Sequence, residues 1–158
     1  MDIHGRWKDW EGLGHFGAGP FQTFCVKPGT YMNDSGRMVE SFARSRGIAP
    51  AEILVCFDDM ALPLGRLRLR LSGSSGGHNG MESVLEHLKT KQVPRLRIGI
   101  GPLPPGLDPV EFVLGSFKKE EAKALDAALD LAEEAAQTAV SDGIAVAMNK
   151  FNSYDAGT

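Results

Sequence analysis

The sequence predicts an α/β fold, a β-sheet with helices on its faces. Three observations carry that expectation. A continuous apolar run, EILVCF (52–57), has the character of a buried central strand. The stretch GRLRLRL (65–71) alternates strictly, with Leu67, Leu69 and Leu71 on one side and Arg66, Arg68 and Arg70 on the other. Between and after these runs, apolar residues recur at helical spacing. The chain has 158 residues, a length that fits one domain. Its 42% hydrophobic and 23% charged residues are ordinary for a globular protein. It contains no run of about 18 apolar residues, so no membrane span is expected, and the opening MDIHGRWKDWEGLGHFGAG lacks the apolar core of a secretory signal.

Taken in order, residues 1–20 hold five glycines and no clear period, and read as loop or poorly ordered chain. FQTFCVK (21–27) reads as a short strand and PGTYMNDSG as turn chemistry. GRMVESFARSRG sets Met38, Val39, Phe42 and Ala43 on one helical face, with Gly47 as the stop signal. The strands at 52–57 and 65–71 follow, then a helix after Asn79 that buries Val84, Leu85 and Leu88. RLRIGIG (95–101) is a further strand, and PLPPGLDP (102–109) a rigid loop. Leu125, Leu129, Ala132 and Ala136 give a helical face from Lys118 to about Ala136, and another helix spans Thr138 to Phe151 with a break near Gly143. Residues 153–158 read as a tail. Cys25 and Cys56 lie far apart in apolar runs and are expected to be buried free thiols of a reducing cytosol. The four histidines are scattered without ligand spacing, so no zinc site is expected.

The net charge of −3 is unevenly spread. Residues 1–101 hold 13 basic and 10 acidic side chains, residues 102–158 hold 4 and 10. A mildly basic body leaves room for a local basic patch. The Gly/Ser-rich loop GSSGGHNG lacks the lysine of a phosphate-binding P-loop. It does satisfy the G-x-S-x-G pattern at Gly73, Ser75 and Gly77, but the acid and histidine of a serine triad do not follow in workable order. Asp58 and Asp59 stand just past the apolar run, where open α/β sheets bind ligands, or cap a loop. The three arginines of 66–70 are either a solvated strand face or a phosphate-contacting one.

VKPGTYMNDSG, ILVCFDDMALPLG, GGHNGMESVLEHL, RLRIGIG and EFVLGSF occur here in a single order. Together they resemble the bacterial-type peptidyl-tRNA hydrolase family over about residues 24 to 150. The resemblance implies a mixed, mostly parallel sheet flanked by helices, in one domain over 21–152. It also implies hydrolysis of the ester between a peptide and the 3′ ribose of tRNA, recycling tRNA during translation, without metal or cofactor. The implied protein is a cytoplasmic monomer whose partner is the acceptor end of peptidyl-tRNA. By the same resemblance, Asp58 orients the histidine that activates water, and Asn33 binds the substrate end and helps place that water. His78 and Asn79 form one wall of the cleft, and Tyr31 sits near the terminal nucleotide. Arg68, Arg70 and Arg97 fall where family members carry basic side chains toward tRNA phosphates.

The sequence departs from the family at its start. The strand, the Gly-Asn-Pro-Gly turn and the segment bearing the family's catalytic histidine are not matched, and 1–20 resembles none of them. A central strand of the sheet is therefore expected to be missing. Three explanations stand beside one another: a truncated reading of an ordinary enzyme, a catalytically inactive tRNA-binding descendant, or a substitute base, for which His15 and His78 are the candidates while His4 cannot be placed.

Overall fold

The computed structural model describes residues 4–19 and 22–153. Its elements are β1 (His4–Trp10), β2 (Gly14–Ala18), β3 (Phe24–Pro28), α1 (Ser35–Arg46), β4 (Val55–Pro63), β5 (Leu67–Arg70), α2 (Asn79–Leu88), β6 (Arg95–Gly101), α3 (Pro109–Leu114), α4 (Ala122–Ser141) and α5 (Ile144–Phe151). Short 3-10 turns stand at Met32–Asp34, Pro50–Glu52 and Lys119–Glu121. The α/β class is as the sequence predicts. The chain forms two compact units, one of residues 1–55 and 71–94, the other of 56–70 and 95–158.

In the first unit, β1, β2 and β3 form an antiparallel sheet in that order. This corrects the reading of 1–20 as loop over the described strands at 4–10 and 14–18; residues 1–3 and 20 lie outside the described residues. Glycine obscured the strands because it supplies no side chain to the alternation, yet Gly14 and Gly17 lie within paired β2. The strand expected at 21–27 is β3, beginning at Phe24; Phe21 lies outside the described residues. Trp10, Phe16 and Phe24 share the sheet face on which Phe42 of α1 packs, with ring centroids 5.0–5.8 Å apart in edge-on or tilted contacts. Met38, Phe42 and Ala43 are buried as expected, whereas Val39 is half-buried. Gly47 ends α1 in the left-handed conformation, φ 65°, which costs glycine no Cβ clash. Its N–H and that of Ile48 donate to the Arg44 and Ala43 carbonyls.

Helix α1 packs on α2 at very close range. The Gly36 N–H donates to the buried Ser83 Oγ at 2.9 Å. A Cβ on residue 36 would stand 2.1 Å from the Ser83 carbonyl oxygen, so only glycine allows the two helix backbones to approach this far. Met81, Val84 and Leu85 fill the inner face of α2, while Leu88 is half-buried.

In the second unit the strand order is β4-β6-β5. Strand β6, rather than the 52–57 run, is therefore the central one. The 52–57 run becomes a 3-10 turn and then the start of β4 at the edge, where Val55 and Phe57 are half-buried and Cys56 is exposed. Cys25 is only half-buried, so neither thiol is in the core as expected; burial still pushes the Cys25 thiol above its ordinary pKa. Strands β5 and β6 are antiparallel, pairing Leu67 with Ile98, Arg68 with Arg97, Leu69 with Leu96 and Arg70 with Arg95. With β1–β2 and β2–β3 also antiparallel, this antiparallel share is larger than the family resemblance led one to expect. The β1–β2 and β2–β3 connections are too short for a parallel crossover.

Leu67, Leu69 and Leu96 are fully buried, and Leu71, just past the strand, is exposed. Asn152, after α5, fixes β5: its Oδ1 accepts from the Leu69 N–H and its Nδ2 donates to the Leu69 carbonyl. The buried face of α4 is Ala128, Ala132 and Ala135, and Leu129 is 52% exposed. The expected Leu125–Leu129–Ala132–Ala136 face was rotated by the weight given to leucine, since here small alanines are the residues in contact. Helix α4 continues to Ser141, and the expected break near Gly143 separates it from α5.

Replacing Gly36 by alanine forces the α1–α2 interface apart. We expect Gly36→Ala to lower stability by roughly 1–3 kcal/mol, the usual range for overpacking, read as a reduced urea midpoint at unchanged m-value. Gly47→Ala, which changes a solvated cap, should cost less.

Candidate active site

In the first unit, two asparagine-bearing turns are brought together. The 3-10 turn Met32–Asp34 leads into α1, and Ser35 Oγ locks it by donating to the Met32 carbonyl at 2.8 Å. This turn packs against the start of α2, where a Cβ on Gly80 would lie 2.6 Å from Met32 Sδ. Asn33, next to Met32, and Asn79, next to Gly80, are both exposed. Tyr31 is 88% exposed just before the turn. These residues lie on separate segments of the chain, and the α1–α2 packing joins them.

His78 stands immediately before α2 and caps it. Its Nδ1 accepts from the Met81 N–H at 3.1 Å, so in the neutral ring the proton resides on Nε2. Ser75 is buried, its Oγ accepting from the Gly77 N–H at 3.2 Å and its carbonyl from the His78 N–H. It shapes the loop rather than presenting a nucleophile. His15 lies exposed on β2, paired across the sheet with Asp9 on one side and Lys27 on the other. His87 is spent on its own helix, with Nδ1 2.8 Å from the Ser83 carbonyl.

In the second unit, Asp58 and Asp59 are half-buried neighbours in β4. Asp59 has two structural partners: Oδ1 accepts from the Ala61 N–H at 2.8 Å, and Oδ2 accepts a charge-assisted hydrogen bond from Arg97 Nε. Strand alternation directs Asp58 to the opposite side from Asp59. On the β5–β6 pair the register sets Arg68 beside Arg97 and Arg70 beside Arg95, so that four arginines share one face. Arg95 was missed in the sequence, although the alternation of RLRIGIG places it with Arg97. It is buried, and desolvation, then the charge of Arg97, draws its pKa below the ordinary guanidinium value. Arg70 is exposed and Arg68 half-buried. Among the described residues there is no group of three or more His, Cys, Asp or Glu able to hold a metal, and no helix long and apolar enough to cross a membrane.

The fold is that of solved peptidyl-tRNA hydrolases. A crystal structure of peptidyl-tRNA hydrolase from Acinetobacter baumannii is 33% identical and superposes with a TM-score of 0.84, covering 96% of this chain and 79% of that one. A peptidyl-tRNA hydrolase in complex with n-propanol gives the same TM-score and identity over 95% and 78%. A sequence model of the family described as Peptidyl-tRNA hydrolase matches residues 6–157, beginning inside β1 and so within the stretch left unmatched by motif reading. The peptidyl-tRNA hydrolase of Elusimicrobium minutum is 49% identical over 129 residues, 82% of this chain and 69% of that protein. That of Synechocystis is 46% identical over 152 residues, 96% and 77%. The chain belongs to the peptidyl-tRNA hydrolase family, hydrolases acting on the peptidyl-tRNA ester.

The Asp59–Arg97 bond offsets the repulsion within the arginine face. Asp59→Asn should therefore destabilise the fold by about 2 kcal/mol, less than the roughly 3–5 kcal/mol of breaking a fully buried pair because Arg97 is partly exposed. Added salt should restore part of the loss by screening the remaining guanidinium charges. Urea titration at low and high ionic strength measures both.

Proposed function

We propose that this chain cleaves the ester joining a peptide to the 3′ ribose of tRNA. The observation that supports it best is the meeting of the Asn33 turn with the His78–Asn79 cap of α2, two exposed amide side chains at adjoining helix starts. Water attacks the ester carbonyl carbon, and the bond from that carbon to the ribose oxygen breaks. The products are a free peptide acid and a tRNA with its 3′ hydroxyl restored.

Each residue has a chemical task in this reading. Asn33 and Asn79 position the ester and donate to the oxygen that gains charge during attack. Tyr31 offers an exposed ring to the terminal nucleotide. Asp58 orients the general base, a histidine by the chemistry of the family, and holds it in the proton-accepting tautomer. His78 serves as a donor through Nε2, because its Nδ1 is committed to capping α2. This disfavours His78 as a substitute base and leaves His15 as the histidine to test in that role. Arg68 and Arg70 meet tRNA phosphates, while Arg97, tied to Asp59, contributes less than its position in the sequence suggests. The site works on tRNA in the cytoplasm, as a monomer, with no metal or cofactor.

With an N-acyl-aminoacyl-tRNA substrate, Asn33→Ala and Asn79→Ala should each lower kcat/KM by about 10²-fold, the scale of losing one preorganised amide donor. Ser75→Ala should leave turnover within a few-fold of the parent. The opposite pattern would assign the loop to a serine esterase and end this reading.

A second measurement concerns the arginines. Replacing Arg68 and Arg70 together by glutamine should reduce the slope of log affinity against log salt by about 1.4–1.8, given a slope of roughly 0.7–0.9 per phosphate contact. Arg97→Gln alone should change it by less than either. An unchanged slope in the double variant would make the strand face merely solvated.

A further inference from the structure

Within the first unit, a recess of about 280 Å³ opens on the β1–β2–β3 sheet where α1 ends. Its polar wall is Arg6, Lys8 and Arg46, its apolar floor includes Phe16, Ala18 and Phe24, and among the described residues no carboxylate lines it. The register accounts for the arrangement: Lys8 stands opposite Phe16 and Ala18 opposite Phe24, all on the face that carries Phe42. Arg46 follows Phe42 by one helical turn and lays its guanidinium over three rings, 4.9 Å from the Phe24 centroid, 5.4 Å from Phe42 and 5.6 Å from Phe16. A guanidinium whose Cζ lies over aromatic rings makes no hydrogen bond to them in plane, which leaves its N–H groups for an acceptor. In a chain of net charge −3, three cations around an apolar floor without a described carboxylate partner are complementary to an anion with an attached apolar or planar group.

The recess is distinct from the asparagine site. They lie at opposite ends of α1, whose 12 residues span about 18 Å. A single nucleotide cannot reach both. We propose that this recess is a second tRNA-contact site, in which Arg6, Lys8 and Arg46 take a backbone phosphate of the tRNA body and the Phe16–Phe24 edge takes the adjoining ribose or base. The inference rests on the reading that this chain acts on peptidyl-tRNA.

The test compares deacylated full-length tRNA with a minihelix carrying only the acceptor stem, each titrated at several salt concentrations against the intact chain. The parent should bind whole tRNA more tightly. Arg6→Gln/Lys8→Gln, at two exposed strand positions, should lower the whole-tRNA salt slope by about 1.4–1.8 and Arg46→Met by about 0.7–0.9. Both should leave minihelix affinity and hydrolysis of an acylated minihelix unchanged. Arg46→Lys, which keeps the charge, should retain most of the whole-tRNA slope. Should Arg46→Met fail to fold by circular dichroism, the Arg6/Lys8 pair decides alone.

Whole-tRNA slopes equal to the parent's in the folded variants would overturn the proposal and leave Arg46 as helix packing. Absence of tRNA affinity in the parent would also overturn it. A parent that binds whole tRNA through the recess yet does not hydrolyse the acylated minihelix would support the recess and refute the catalytic reading, which keeps the two failures apart.

Discussion

The approach of α1 to α2 is the constraint on which the candidate site depends. Both helices begin at an asparagine-bearing turn, so the distance between their starts sets the separation of Asn33 from Asn79. That distance is small because position 36 has no side chain and its N–H is satisfied by Ser83. The hydrogen bond and the missing Cβ act together: a buried N–H without the serine would be costly, and a methyl group would separate the backbones. The candidate site is thus built by packing several residues away from the exposed amides of Asn33 and Asn79. His78 adds the second half of the device, spending one ring nitrogen on the helix start and thereby fixing which nitrogen carries the proton.

A second theme is charge held against its own repulsion. Two cross-strand arginine pairs on β5–β6 would destabilise an isolated hairpin, since like charges directly opposite repel. The leucines on the other face supply the burial that holds the strands together, and Asp59 draws one guanidinium into a bond with β4. What remains outward is a graded surface, from buried Arg95 to exposed Arg70. Within it, Arg97 is the guanidinium ordered by a carboxylate of the protein itself. The same logic operates at Arg46, where aromatic rings rather than a carboxylate do the ordering.

The elements whose signal was local were legible in the sequence. The α1 face at Met38, Phe42 and Ala43, its stop at Gly47, and the alternation of β5 each follow from nearest-neighbour geometry. The misread elements share a different cause. In β1 and β2, glycine and charged residues carried too little hydrophobic contrast for a period to show, and pairing with β3 supplied what local pattern lacked. The 52–57 run looked central because it was continuously apolar, yet its place in the sheet depends on which strand lies beside it. On α4, leucine drew attention from alanine, although close packing selects the smaller residue.

By itself, then, the sequence determined the α/β class, the family, and the residue types offered to the candidate site: amides at 33 and 79, a carboxylate at 58, arginines on a strand. Those are properties of residue type and spacing. Tertiary structure alone decided that the two asparagine turns meet, that Arg95 joins Arg70 and Arg97 on one face, that Arg97 is engaged by Asp59, and that Arg46 lies across three phenylalanines beside Arg6 and Lys8. Each of these depends on contacts between segments distant in the chain. Their geometry is set by helix approach and strand register, which no local pattern encodes.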